Sequence, residues 1–242
     1  MNIPLKITFR MQTPVCLSYP WIHFDAIVAH LKQRQMDSHG LRSLPSKRVI
    51  KVIGERILPL KKTAGVYHAS VSFFDTSKAF ATKIYKRFCE RHLDLRRVRK
   101  KKIDTSRGHF RAFMINLIYI PARTVTFYAC GDPDELQQLL RFLPGLGKKI
   151  AIGYGFIKDF SIQEINEDYS IVKDGVAMRP IPVPLVRSAS DVVAMAYKPP
   201  YWAKEFVVPC VPPGAQVNLG ENFTQNFKLG KVLREMTRGE AE

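Results

Sequence analysis

The chain has 242 residues, 46% of them hydrophobic, with 38 Lys+Arg against 21 Asp+Glu and a formal net charge of +17. That apolar content supplies one large core or two small ones and excludes a disordered chain, while the cationic excess points to a polyanionic partner. No apolar run approaches the ~18 residues of a membrane span, no signal-peptide pattern opens the sequence, and Cys16, Cys89, Cys130 and Cys210 form no C-x-x-C pair, so the expectation is a soluble, cytoplasmic protein with reduced thiols.

Residues 2–11 alternate Ile3, Leu5, Ile7 and Phe9 with Lys6, Thr8 and Arg10, the period-two pattern of a half-buried strand. Pro14 and Pro20 bracket a loop, and Phe24, Ile27, Val28 and Leu31 stand at helical spacing over 24–35. Residues 38–62, punctuated by Gly40, Pro45, Gly54 and Pro59, read as an irregular hairpin or protruding arm. A second strand is expected over 66–74, an amphipathic helix over 77–92, and two strands over 110–120 and 123–130 around Pro121. Asp132-Pro133 offers an N-cap with proline in the first turn, and Leu136, Leu139, Leu140 and Leu143 form an apolar stripe, so a helix is expected over 132–142. A strand over 151–165 follows. This order predicts an α+β fold, a ferredoxin-like sheet with helices on one face and the other open to nucleic acid. Past residue 166, prolines at 180, 182, 184, 199, 200, 209, 212 and 213 are interleaved with Ile181, Val183, Tyr201 and Trp202. These residues are too apolar for a free linker. The expected organisation is therefore a domain over 1–165, a packed proline-rich extension over 166–218 and a polar tail over 219–242 with a short helix at 228–237.

Charge is distributed unevenly. Residues 1–158 carry 29 basic and 10 acidic side chains, whereas 159–242 carry 9 and 11. The densest run is Arg96, Arg97, Arg99, Lys100, Lys101 and Lys102, inside a basic segment over 95–111; such crowding stands only if solvated or matched by phosphates. Lys47, Arg48, Lys51, Arg56, Lys61 and Lys62 form another cluster on the arm. Between residues 145 and 156 the chain reads G-L-G-K-K-I-A-I-G-Y-G-F. This is neither G-x-G-x-x-G nor G-x-x-x-x-G-K-[ST], so the dinucleotide and P-loop fingerprints fail. Gly145, Gly147, Gly153 and Gly155 can take positive φ and bring backbone N–H groups to an anion, beside Lys148 and Lys149; the plain alternative is a glycine-rich turn between helix and strand. Tyr67, Phe73, Phe74, Phe110, Phe113 and Tyr154 are interleaved aromatics, and Tyr154, inside the loop, is the leading candidate to stack on an unpaired base.

Catalytic signals are weak. His23, His30, His39, His68, His92 and His109 form no H-x-x-x-H or H-E-x-x-H spacing, there is no G-x-S-x-G elbow, and the basic part holds few carboxylates for a two-metal site. No metal or cofactor is expected. Metal-free RNA cleavage needs a base near the 2′-OH and a cation on the phosphate, roles open to His109 beside Arg107 or His68 beside Tyr67.

Two G-x-G pairs five residues apart after a helix resemble the glycine-rich loop of the RAMP superfamily of CRISPR-associated proteins. Within it, Thr13-Pro-Val-Cys16 with Ile22-His-Phe-Asp-Ala-Ile-Val-Ala29, Leu58-Pro-Leu-Lys61 with Gly65-Val-Tyr-His-Ala-Ser70, Leu146-Gly-Lys-Lys149 with Gly153-Tyr-Gly155, and Met178-Arg-Pro-Ile-Pro182 with Tyr197-Lys-Pro-Pro-Tyr-Trp202 resemble the Cas-five-like (Csf-three) subunits of type IV effector complexes, over about residues 6–213. The resemblance implies a ferredoxin-like (RRM-like) RAMP domain with a thumb-like arm at about 35–62 and a proline-rich wrap. It implies a non-catalytic cap that grips the 5′ handle of the guide RNA (crRNA) in an antiviral ribonucleoprotein. Partners would be the repeated backbone subunit, the large subunit and, through the complex, target DNA, with no membrane involved. The residues expected on the RNA are Gly145, Gly147, Lys148, Lys149, Gly153, Tyr154 and Gly155 of the loop, Arg96, Arg97, Arg99, Lys100, Lys101, Lys102, Arg107 and His109 of the basic segment, and Lys47, Arg48, Lys51, Lys61 and Lys62 of the arm. The chief alternative is the Cas-six-like, metal-independent endoribonuclease that processes repeat RNA; there the loop usually lies near the carboxyl terminus, whereas here 87 residues follow Gly155. A general nucleic-acid-binding protein of ribosomal type is the third reading.

Overall fold

In the computed structural model, which describes residues 2–36, 58–89, 104–108 and 110–220, the alternating opening segment forms β1 (Ile3–Met11), with Leu5, Ile7 and Phe9 fully buried. β2 (Val15–Cys16) and helix α1 (Phe24–Met36) follow, then the short β3 (Lys62–Thr63), β4 (Val66–Tyr67) and β5 (Phe73–Phe74). Next come β6 (Phe80–Lys86), β7 (Phe113–Ile120), β8 (Thr124–Gly131), helix α2 (Pro133–Leu140) and β9 (Ile157–Glu164). The architecture is mixed α+β, mostly antiparallel strands with few helices.

The main sheet has the order β5-β8-β1-β9, every neighbouring pair antiparallel, with Ile7 opposite both Phe127 and Ile162. Period two sends Leu5, Ile7, Phe9, Val125, Phe127 and Ala129 to one face. There they join Phe24, Val28 and Leu31 of α1 and Leu136, Leu139 and Leu140 of α2 in one core cluster. Phe127 meets Phe9 edge-on at 5.8 Å and Phe24 at 5.2 Å. Each such aromatic, fully buried, contributes about 1.5–3 kcal/mol. Asp132 caps α2 by accepting from the Asp134 and Glu135 amides at 3.1 and 3.0 Å, and Lys32 of α1 pairs with Glu135.

Three expected elements differ. The helix expected over 77–92 is instead β6, laddered with β7 from Phe80 opposite Tyr119 to Lys86 opposite Phe113. Phe80, Thr82 and Ile84 alternate there with Ala81, Lys83 and Tyr85, a pattern that suits the pleated surface built with β7. The strand expected over 66–74 keeps only its two ends as β4 and β5; between them the chain still bridges β8 at Ala69 opposite Ala129, while the carbonyls of Tyr67 and Ala69 accept from the Arg179 guanidinium. The strand expected over 151–165 starts at Ile157, after a 3-10 turn at Ile150–Ile152.

Beyond β9 the chain forms β10 (Val172–Lys173), β11 (Val176–Ala177), β12 (Ile181–Pro182), β13 (Val186–Ala189), β14 (Val193–Ala196), β15 (Val207–Val211) and β16 (Val217–Leu219), arranged as the small sheets β10-β11, β12-β15-β14 and β13-β16. Ile171, Ile181, Leu185, Val211 and Val217 build a second core cluster, to which β4 contributes Val66. At the junction Arg179 is fully buried. Its guanidinium donates to Asp25 Oδ2 at 3.1 Å, Tyr197 O at 2.6 Å and Tyr201 Oη at 3.2 Å. The Tyr201 hydroxyl donates to Asp25 at 2.9 Å, and His23 stacks on Tyr201 at 3.6 Å. Removing one member of such a network strands a buried charge, at a cost of about 3–5 kcal/mol.

Most of the arm expected over 35–62 lies outside the described residues, as do the cations at 96–102, His109, Lys47, Arg48, Lys51 and the tail helix at 228–237. The described end of the arm is built into the core, with Leu58 and Leu60 each 6% exposed.

Candidate nucleic-acid interface

The glycine loop leaves α2 and folds back on the chain entering β2. Leu146 N–H donates to Gly155 O at 2.8 Å, Lys148 N–H to Cys16 O at 2.7 Å, Gly155 N–H to Pro14 O at 2.8 Å, and Phe156 N–H to Thr13 Oγ1 at 2.9 Å. The amides of Ile152, Gly153 and Tyr154 bond carbonyls within the loop. The sequence suggested amides turned outward to an anion; many are instead turned inward to hold the loop on β2. Two glycines are there for close approach. A Cβ on Gly147 would lie 2.4 Å from Cys16 O, and one on Gly155 1.9 Å from Leu146 O, both at positive φ. Lys149 also takes a left-handed φ of 65°, a conformation costly for a non-glycine residue. It and Lys148 are exposed. The cationic character of the loop therefore rests on its two ammonium groups.

On one side, a cleft of about 420 Å³ separates the loop from α1; His23, His30 and Arg34 line one wall, Gly145, Gly147 and Ile150 the other. Burial, with the Arg179 charge adding to it, pushes the His23 imidazole down to about 3, so it is neutral at physiological pH. Its Nε2 accepts from Trp21 Nε1 at 3.2 Å.

On the other side the loop meets the β6–β7 hairpin. Lys148 bridges to Cys16, Cys16 lies opposite Tyr119, and Tyr119 lies opposite Phe80. One lateral row thus runs from the loop lysine to the hairpin, about 14 Å at ~4.8 Å per strand. The rings follow it. Tyr154 of the loop is 6.0 Å from Tyr119, and Tyr119 is stacked on Phe80 at 5.8 Å and 24°. The strands of this hairpin flank the connection that carries the cations at 96–102 in the sequence.

The other expected residues are placed elsewhere. Arg107, exposed, is paired with Asp104 at 2.9 Å; hydrogen bonds from Ser106 and then Arg107 hold that carboxyl below its ordinary value. Lys61 donates its amide to Cys130 O at 2.7 Å, opposite Pro4, whereas the loop closes at Gln12. That is about 27 Å along β1 at ~3.4 Å per residue. Lys62 sits 4.7 Å over the Tyr67 ring, where burial lowers its pKa. These two lysines belong to the junction with the second cluster. His68, considered as a base, is 5% exposed; its Nδ1 is 2.6 Å from Asp168 Oδ2 and its Nε2 2.8 Å from Thr63 Oγ1.

Sequence reasoning missed Phe80 and Tyr119. Their alternation with Thr82, Ile84, Ile115 and Leu117 was the available signal, masked for Phe80 by the helical reading of 77–92. It also missed Asp25 and Arg179, buried charges whose partners lie 154 residues apart. Among the described residues no cluster of three or more His, Cys, Asp or Glu side chains is placed to hold a metal ion, and no helix is long and apolar enough to cross a membrane.

No curated protein matches the chain. Among solved structures, a chain in the cryo-EM structure of the type III-B Cmr-beta bound to cognate target RNA is similar at 12% identity and a TM-score of 0.37, over 67% of this chain and 61% of that one. This chain therefore spans less than two thirds of that neighbour's length, and the likeness carries no functional argument. The family model for CRISPR type IV associated protein Csf3 matches residues 68–213, more than half of the chain and inclusive of the hairpin and the glycine loop. The chain belongs to the Csf3 family of CRISPR type IV associated proteins.

Proposed function

We propose that this protein is the subunit of a type IV CRISPR effector ribonucleoprotein that holds the 5′ handle of the guide RNA and does not cleave it. The family match supports membership of such an assembly. The strand order β5-β8-β1-β9, with α1 and α2 on one face, supports a ferredoxin-like RAMP domain as its frame. The segment at about 35–62 is read as its thumb-like arm. Partners are the guide RNA, the repeated backbone subunit and the large subunit, with target DNA reached through the complex.

One observation supports the assignment of the site: the row Lys148, Cys16, Tyr119, Phe80 joins the glycine loop to the β6–β7 hairpin, whose strands flank the basic run at 96–102 in the sequence. Phosphates on Lys148, Lys149 and the basic connection supply affinity, and contacts to splayed bases supply sequence preference. The engaged ring nitrogens of His68 and the low basicity of His23 support a holding role over a cutting one.

Fluorescence anisotropy of the full chain with single-stranded handle RNA tests this. Neutralising about six phosphates gives a log–log salt slope of roughly −4, and Lys148→Ala with Lys149→Ala shifts it by about +1.4. An unchanged slope removes the loop from the RNA site. Incubation with repeat RNA in EDTA discriminates the endoribonuclease, which would produce a single cut.

A further inference from the structure

We infer that Phe80 is a stacking platform for one unpaired nucleobase of the strand whose phosphates lie on Lys148 and Lys149. The inference rests on the reading of the glycine loop as an RNA site and adds where that RNA goes next. Three rings, from loop, β7 and β6, follow one another in contact: Tyr154, Tyr119, Phe80. Tyr119 is half-buried between the other two, whereas Phe80 at the end of the row is 48% exposed. A large apolar ring left that open, at the end of a stacked series, presents a π-face of the size and polarity that a base completes.

Charge favours nucleic acid as the occupant. On the same strand Lys86 shares the face of Phe80, Lys83 turns to the other face, Arg87 comes next in the sequence, and none of residues 80–89 is acidic. At the other end of the row stand Lys148 and Lys149, both exposed. A strand passing from the loop to the hairpin thus keeps its phosphates beside ammonium groups while one base turns in onto Phe80. The row spans about 14 Å, a stretch that an extended single strand crosses in about two or three nucleotides. The stacked base therefore lies two or three nucleotides from the phosphate on Lys148. Stacking reads a π-face and not a base edge, so the position is tolerant of sequence.

The test places 2-aminopurine at successive positions of a single-stranded handle RNA and follows its fluorescence on binding to the full chain. One position, two or three nucleotides from the loop contact, is quenched with the wild type. Phe80→Ala abolishes that quench and weakens binding about tenfold, the size of one base–aromatic stack, with the salt slope unchanged; Phe80→Trp keeps both. A half-exposed side chain is a mild site for these changes, and thermal melting of each variant confirms the fold. Wild-type quenching and affinity in Phe80→Ala overturn the inference, and so does a loss confined to association with the backbone subunit. If Lys148→Ala with Lys149→Ala still flattens the salt slope in that case, only the platform fails. If neither substitution affects binding, the loop reading fails with it.

Discussion

At the scale of the residue, the loop glycines separate into those packed against backbone and those that only turn it. Gly155→Ala would put a Cβ 1.9 Å from Leu146 O at a φ of +71°, whereas a Cβ on Gly153, also at positive φ, meets nothing within 4 Å. The expected costs are about 1 kcal/mol for Gly153→Ala and at least about 2 kcal/mol for Gly155→Ala, since the second must move backbone as well as accept the strained φ. Urea denaturation of the two variants checks the order, and equal costs would mean that the loop is held differently. The four glycines were visible in the sequence, but their role was only half legible. Spacing announces a tight turn, yet it does not say whether the amides face an anion or, as for Leu146, Lys148 and Gly155, carbonyls of the same chain.

At the scale of the element, strong periodicity was readable and mixed periodicity was not. β1, α1 and α2 follow the expected spacing because each buries one clean stripe against the main core. The stretch 77–92 carried charge and apolar groups at intervals that suit either helix or strand, and pairing with β7, a partner about 30 residues downstream, decided for the strand. The tie between α1 and the C-terminal strands depends on still longer range, through Asp25, Arg179, Tyr201 and His23. It predicts a pH dependence. Folded His23 is held down to about 3 by burial and then by Arg179, against 6.5 when exposed, so between those values the unfolded chain binds a proton that the folded chain does not. Stability therefore falls as pH drops below about 6.5, by up to about 1.4 kcal/mol per unit from this group. Burial pushes the Asp25 carboxyl up, with the opposite effect, so the measurement compares variants. His23→Phe keeps a ring on Tyr201 and removes the titration. Its urea midpoint is expected to change less than the wild type's between pH 6.5 and 4.5, and parallel profiles would contradict the burial of His23.

At the scale of the whole molecule, the charge asymmetry follows the architecture. The basic first two thirds build the main sheet, the hairpin and the loop, and the near-neutral remainder builds the second cluster, joined at Arg179. The family was legible because its glycine loop, its segments at 13–29 and 58–70 and its proline motifs leave local marks. The site was less so, because Lys61 and Lys62 share a charge pattern with Lys148 and Lys149 but stand about 27 Å along β1 from them, and only the fold tells the two pairs apart. The most direct test of the RNA-holding role is ultraviolet crosslinking of guide RNA in the purified ribonucleoprotein, followed by mass spectrometry of crosslinked peptides. The account predicts crosslinks from the handle nucleotides to residues 145–156 and to the peptide bearing Phe80. Handle crosslinks confined to residues 166–218, with none to the loop or the hairpin, would contradict it.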